Sequence, residues 1–150
     1  MQPEKVIYSE TVRPPLWLLA FIFFLLASVA LAIWAAFDNR SGLIALILSV
    51  VVLPLLNKAM LLRISLSASE LRVGRAHIAR PYLGQAQVLT IDEMRLTRGR
   101  NADPAAYLAL RFWQPRGVKI SIGDARDSTP YWLISSKNSK GLVDALNRPG

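Results

Sequence analysis

The longest apolar run lies near the N-terminus. Leu16 to Phe37 is a stretch of 22 residues without a charge, and Ser28 is its one polar side chain of note. As a helix rising about 1.5 Å per residue it reaches roughly 33 Å, enough for a hydrocarbon core of about 30 Å. Trp17 and Trp34 stand near its two ends, at the depth where amphipathic rings favour headgroups. Pro14 and Pro15 precede it, at a helix start where a missing N–H costs no helical bond. Asp38 to Ser41 is a short polar turn, and Gly42 to Leu62 is apolar again except at Ser49, Asn57 and Lys58. The pattern predicts a hairpin of two membrane helices over 16–37 and 42–62, preceded by an N-terminal tail over 1–15. Lys58 is placed to snorkel and Pro54 to kink the second helix or sit beneath a neighbour. A re-entrant or interfacial second helix is the other reading of the shorter segment.

Ala30-Leu-Ala32 resembles a signal-peptide cleavage site. The apolar run continues past it to Phe37, longer than a signal core of about 7–15 residues, so an uncleaved span is expected. Orientation follows from basic residues near the helix ends. The turn holds only Arg40, whereas Lys5 and Arg13 flank one side and Lys58, Arg63, Arg72, Arg75 and Arg80 follow the other. A multi-pass protein of the cell membrane with both termini in the cytoplasm is predicted.

From Arg63 onward the period changes to alternation, the signal of half-buried strands. Leu62 to Leu66, Leu71 to Val73, Ala76 to Ile78, Gln85 to Ile91, Tyr107 to Trp113, Val118 to Ile122 and Tyr131 to Ser135 read as strands. Gln114-Pro-Arg-Gly117 is a turn between two of them. Lys137 to Asn147 reads as a helix with Leu142, Val143 and Leu146 on one stripe. About seven strands and a closing helix predict an α+β domain over 63–150. Its expected form is a small antiparallel barrel or sandwich with its end closed by the C-terminal helix, an order shared with pleckstrin-homology-like domains.

Apolar residues make up 53% of the chain and the formal net charge is +8. Arg63 onward holds 14 basic and 7 acidic residues, so the excess belongs to the domain. A basic domain next to a bilayer suits anionic phospholipid headgroups. A solvated basic surface that sets topology is the plainer use of the same charge, and nucleic acid ranks low because few aromatics accompany the basic strands.

Absence of cysteine excludes disulfides, thiolate catalysis and thiolate metal sites. His77 is the single histidine, and alternation turns it away from Ala76 and Ile78, toward solvent. Asp92 and Glu93 are adjacent and would face opposite ways on a strand, while Asp124 and Asp127 suit turn capping. No phosphate loop, dinucleotide fingerprint or nucleophile elbow is present. The residues point to no catalytic set, no metal and no cofactor. Two patches remain as candidates. Tyr107, Arg111 and Trp113 fall on one face of their strand and offer stacking and cation–π contact. An alternative pairs Asp103 with Arg111 and buries Trp113 under a loop. Arg72, Arg75 and Arg80 are the candidate headgroup contacts.

Three segments carry a resemblance: Glu70-Leu-Arg-Val-Gly-Arg-Ala-His-Ile78, Asp103-Pro-Ala-Ala-Tyr-Leu-Ala-Leu-Arg-Phe-Trp113 and Asp127-Ser-Thr-Pro-Tyr-Trp-Leu-Ile-Ser-Ser-Lys137. Together they resemble an actinobacterial membrane-protein family catalogued as domain of unknown function number 3093. The resemblance covers nearly the whole chain. It implies two spans and a compact β domain of bacterial pleckstrin-homology type, and no known activity. Such segments often carry arginines after the last strand, where Lys137, Asn138, Ser139 and Lys140 stand here. A membrane-tethered interaction module facing the inner leaflet is the function expected. A structural subunit of a membrane complex is the alternative, for which Ala27, Ala30 and Ala35 permit helix packing without a G-x-x-x-G. An enzyme acting on lipids or envelope precursors is the least supported reading.

Overall fold

A computed structural model describes residues 5–148. The chain divides into two compact units: the segment up to Val12 together with Leu62 onward, and the segment Arg13–Leu61.

The second unit is a helical hairpin of α1 (Leu16–Ala36) and α2 (Asn39–Met60). Both helices are long and apolar enough to cross a membrane. The turn is shorter than the polar run suggests. Asp38 is the N-cap of α2, and its carboxylate accepts from the Ser41 N–H at 2.9 Å, so the helix begins three residues before Gly42. Trp34 donates from Nε1 to Asn39 Oδ1 at 2.8 Å. A Cβ at Gly42 would fall 2.5 Å from the Trp34 ring, so the hairpin closes on a glycine because nothing larger fits. Ser49 donates to Ala45 O in its own helix at 2.8 Å. That carbonyl absorbs the hydroxyl where no water is needed.

Among the described residues the first unit holds eight strands in two sheets. Sheet order is β1-β2-β3-β4, with β1 Tyr8–Val12, β2 Leu62–Leu66, β3 Glu70–Val73 and β4 Ala76–Ala79, all antiparallel. The other sheet runs β5-β7-β8-β6, with β5 Leu83–Leu89, β6 Tyr107–Ala109, β7 Gly117–Ile122 and β8 Tyr131–Ser135. Neither sheet closes on itself. A barrel is therefore replaced by two open sheets, and β6 lies parallel to β8, a departure from the all-antiparallel expectation. A single-turn 3-10 helix over Arg80–Tyr82 joins the sheets. Val12, Leu62, Ile64, Leu66, Leu71, Val73 and Ile78 from one sheet share a core with Ala86, Ala109, Val118, Ile120, Trp132 and Ile134 from the other. Leu142 and Ala145 of α4 (Ser139–Asn147) complete it.

Three expectations are corrected. The N-terminal tail contains β1, whose residues alternate as Tyr8, Glu10 and Val12 against Ser9 and Thr11 and pair with β2. The strand expected over Gln85 to Ile91 ends at Leu89, and α3 (Ile91–Arg98) follows. Thr90 accepts from the Glu93 N–H at 3.3 Å while Glu93 accepts from the Thr90 N–H at 2.7 Å, a reciprocal cap that starts a helix. Asp92 and Glu93 are thus first-turn helix acids, and the Thr90 hydrogen bonds hold Glu93 below the usual carboxylate range. The strand expected over Tyr107 to Trp113 stops at Ala109. Ser135 Oγ takes the Arg111 N–H at 2.9 Å, and the Gln114 N–H closes a turn on Arg111 O at 2.9 Å.

α3 also explains why β8 is buried on both faces. Met94 packs with Leu89, Tyr131 and Leu133 on one side of the sheet, while Trp132 and Ile134 face the shared core on the other.

Candidate functional site

The register of the first sheet fixes which side chains share its ends. Val12 stands opposite Leu62, and Ile64 stands opposite Val73. The β3–β4 turn, Gly74 and Arg75, therefore lies beside the end of the sheet from which the chain leaves for α1 and returns from α2. Gly74 donates its N–H to Arg63 O at 2.8 Å and has φ +62°. A left-handed turn residue is cheap only as glycine, so the sequence places it there. Arg63 and Arg75 are both exposed at this sheet end.

The other two candidate headgroup arginines are committed elsewhere. Arg72 has a side chain 65% exposed and forms an ion pair with Glu70 beside it on β3. Both line an open cleft of about 270 Å³ with Val6, Ser65 and Ser67. Arg80 turns inward: its Nη2 donates to Ala145 O at 3.3 Å and to Arg148 O. Those carbonyls end α4, where a cation also meets the negative end of the helix dipole. Arg80 caps the closing helix. The Arg72, Arg75 and Arg80 set is thus divided by the fold, and only Arg75 stands at the sheet end.

Tyr107, Arg111 and Trp113 do not form one exposed stripe. The Tyr107 ring packs 4.7 Å from that of Trp132, and its hydroxyl donates to Val73 O at 3.3 Å. Trp113 packs against the core, with its indole N–H buried and without a hydrogen-bond partner among the described residues. Arg111 Nη1 donates to Leu110 O at 2.9 Å. Asp103 accepts from the Ala105 N–H at 2.9 Å and so caps a turn. The residues left outside are Leu108 and Phe112, on the opposite side of the alternation, the latter 65% exposed. β6 pairs with β8 and turns Ala109 into the core, so Tyr107 and Trp113 on the same face pack inward as well. His77 is exposed opposite Arg72, as alternation predicts. Asp124 and Asp127 cap turns as expected, accepting from the Arg126 and Thr129 N–H groups, each at 2.9 Å.

Glu10 is a junction that sequence reasoning missed. Its carboxylate accepts from Tyr8 Oη at 2.8 Å, from Ser136 Oγ at 2.7 Å and from the Lys137 N–H. It ties β1 to the end of β8 and the approach to α4. Burial, the Glu10 hydrogen bond and the Glu10 charge push the Tyr8 phenol well above its ordinary range, so it stays a donor. The alternation of Tyr8, Glu10 and Val12 was the available signal; the adjoining prolines and apolar run masked it.

No curated protein and no solved structure matches the chain. A family model described as "Protein of unknown function (DUF3093)" matches residues 7–146 and so takes in β1, the helical hairpin and both sheets. The chain belongs to that family of proteins of unknown function.

Proposed function

We propose that the chain is a membrane-tethered interaction module: α1 and α2 cross a bilayer as a hairpin, and the two-sheet domain works at the inner surface. The observation that carries this reading is the pairing of β1 with β2. One strand lies before the hairpin and the other after it, so a folded domain requires both connections on the same side of the membrane. Two crossings satisfy that, one or three do not. The charge bias points the same way, with Arg40 alone at the turn and Arg13, Lys58 and Arg63 next to the other ends in sequence.

Arg63 and Arg75, at the sheet end where the hairpin joins, are the residues that meet anionic headgroups in this reading. Each basic residue near such a surface contributes about 1 kcal/mol. Seven strands after the hairpin and a closing helix support a pleckstrin-homology-like ancestry, with β1 added as an eighth strand. The role in this reading is binding. A photoreactive side chain at Arg75 in the full chain, activated in cells, tests it. Lipid adducts are expected; a single discrete protein adduct would favour the subunit reading instead.

A further inference from the structure

A second basic site lies away from the sheet end. Arg116, Lys137 and Lys140 line one cleft of about 310 Å³ together with Val88, Leu89, Asn138 and Ser139. The three cations come from two places in the chain. Arg116 ends the loop between β6 and β7, and Lys137 and Lys140 flank the start of α4. Pairing brings them together: Gly117 stands opposite Ser135, and the Ser136 N–H donates to Arg116 O at 3.1 Å. The backbone is closely packed around them. A Cβ at Gly117 would fall 2.3 Å from Ile134 O and 2.6 Å from the Met94 side chain, so only glycine fits where β7 starts. The Lys137 N–H is held by Glu10, whose carboxylate is occupied by three donors.

All three basic side chains belong to exposed residues, and no acid lines this cleft. Three cations lining one concavity repel one another, and a multiply charged anion relieves that repulsion. The cleft continues into an apolar groove of about 400 Å³, sharing Val88, Leu89 and Arg116 and adding Thr90, Ile91 and Asp92. Val88 and Ile91 are exposed there, 42% and 41%. We infer that this cleft binds a phosphate group, with Arg116, Lys137 and Lys140 as its ligands and the Val88–Ile91 groove holding an adjoining apolar portion of the same molecule. A phosphate monoester carries about −1.5 to −2 charge and three acceptor oxygens, which suits a cleft lined by three cationic donors. The phosphate is carried either by a lipid headgroup or by a soluble molecule. The site stands on the domain alone and does not depend on the hairpin crossing a membrane.

The test is lysine footprinting of the full chain in phosphatidylcholine nanodiscs, at constant ionic strength. Inorganic phosphate and dihexanoyl phosphatidic acid are the two probes, and Lys119, over the Tyr131 ring and outside the cleft, is the internal reference. A bound anion raises an ammonium's pKa by about one unit and so slows its acetylation roughly tenfold. Slowing at Lys137 and Lys140 by both probes supports a site satisfied by phosphate itself. Slowing by phosphatidic acid alone supports a lipid headgroup. Arg116→Ser leaves both reporter lysines and is expected to abolish the slowing, with the melting transition unchanged. No slowing by either probe, or equal slowing in Arg116→Ser, overturns the proposal.

Discussion

Val12 and Leu62 stand opposite each other at the end of the β1–β2 ladder, although the whole helical hairpin lies between them in the chain. Both are fully or almost fully buried in the core shared by the two sheets. The hairpin is thus an insertion at a strand turn, and the domain is made from chain on both sides of it.

That relationship has a direct consequence for dissection. Residues 62–150 alone lack β1, which supplies five register pairs, the Val12 side chain and Glu10. We expect that fragment to be unfolded or aggregated, with β2 left as a bare edge. Joining Val12 to Leu62 through Asn-Gly suits a pair directly opposite in register, because a two-residue turn of that composition matches strand twist. The joined chain, residues 8–12 fused to 62–150, is expected to be folded and monomeric. Circular dichroism melts and size-exclusion chromatography of the two proteins check this.

Glu10 is expected to be among the costly polar substitutions of the domain. Glu10→Ala leaves Tyr8 Oη, Ser136 Oγ and the Lys137 N–H without their shared acceptor. Bonds to charged groups contribute about 1.5–3 kcal/mol, so a loss of about 2–3 kcal/mol is expected in the joined domain. Urea unfolding of Glu10→Ala against the parent measures it.

Tyr8 gives the domain an alkaline sensitivity. Its folded phenol titrates above the ordinary 10.0, so the unfolded chain releases that proton first. Stability from this group is fully present below pH 10 and falls as pH rises beyond it, since the unfolded state then binds fewer protons. Tyr8→Phe removes this term. Its melting temperature is expected to fall less steeply than the parent's between about pH 9.5 and 11.

Trp113 is expected to tolerate Phe. Its indole N–H is buried without a partner among the described residues, a desolvation cost of about 1–3 kcal/mol that Phe does not carry. The lost ring area opposes this gain. Trp113→Phe is expected to change stability by less than about 1 kcal/mol, whereas Trp132→Phe, at the centre of the shared core, is expected to cost more. Paired denaturation curves distinguish the two.

Much of this architecture was legible where one physical signal acted alone. The first helix announces itself by length without charge and the second by an apolar run charged only near its ends, while β7 shows alternation, β8 a short apolar run and α4 a single stripe. Legibility failed where two signals overlapped. Thr90 to Glu93 carries a helix cap directly behind a strand, and the strand pattern hid it. Tyr107 to Trp113 alternates throughout, yet Ser135 Oγ takes the Arg111 N–H and ends the strand after Ala109. Alternation also cannot say which face is inner, and the parallel partner β8 decided against the aromatic stripe. Arg80 read as one more surface cation because its acceptors, Ala145 and Arg148, lie far along the chain. The Arg116, Lys137 and Lys140 cleft was invisible for the same reason.

The measurement that tests the central claim most directly is cysteine accessibility, since the natural chain has no cysteine. Single substitutions Ser41→Cys, in the first turn of α2, and Ser128→Cys, in the exposed loop before β8, are treated with a membrane-impermeant maleimide in intact cells. The hairpin topology requires labelling of Ser41→Cys from outside and of Ser128→Cys only after lysis. Labelling of Ser128→Cys in intact cells, or protection of Ser41→Cys until lysis, contradicts it.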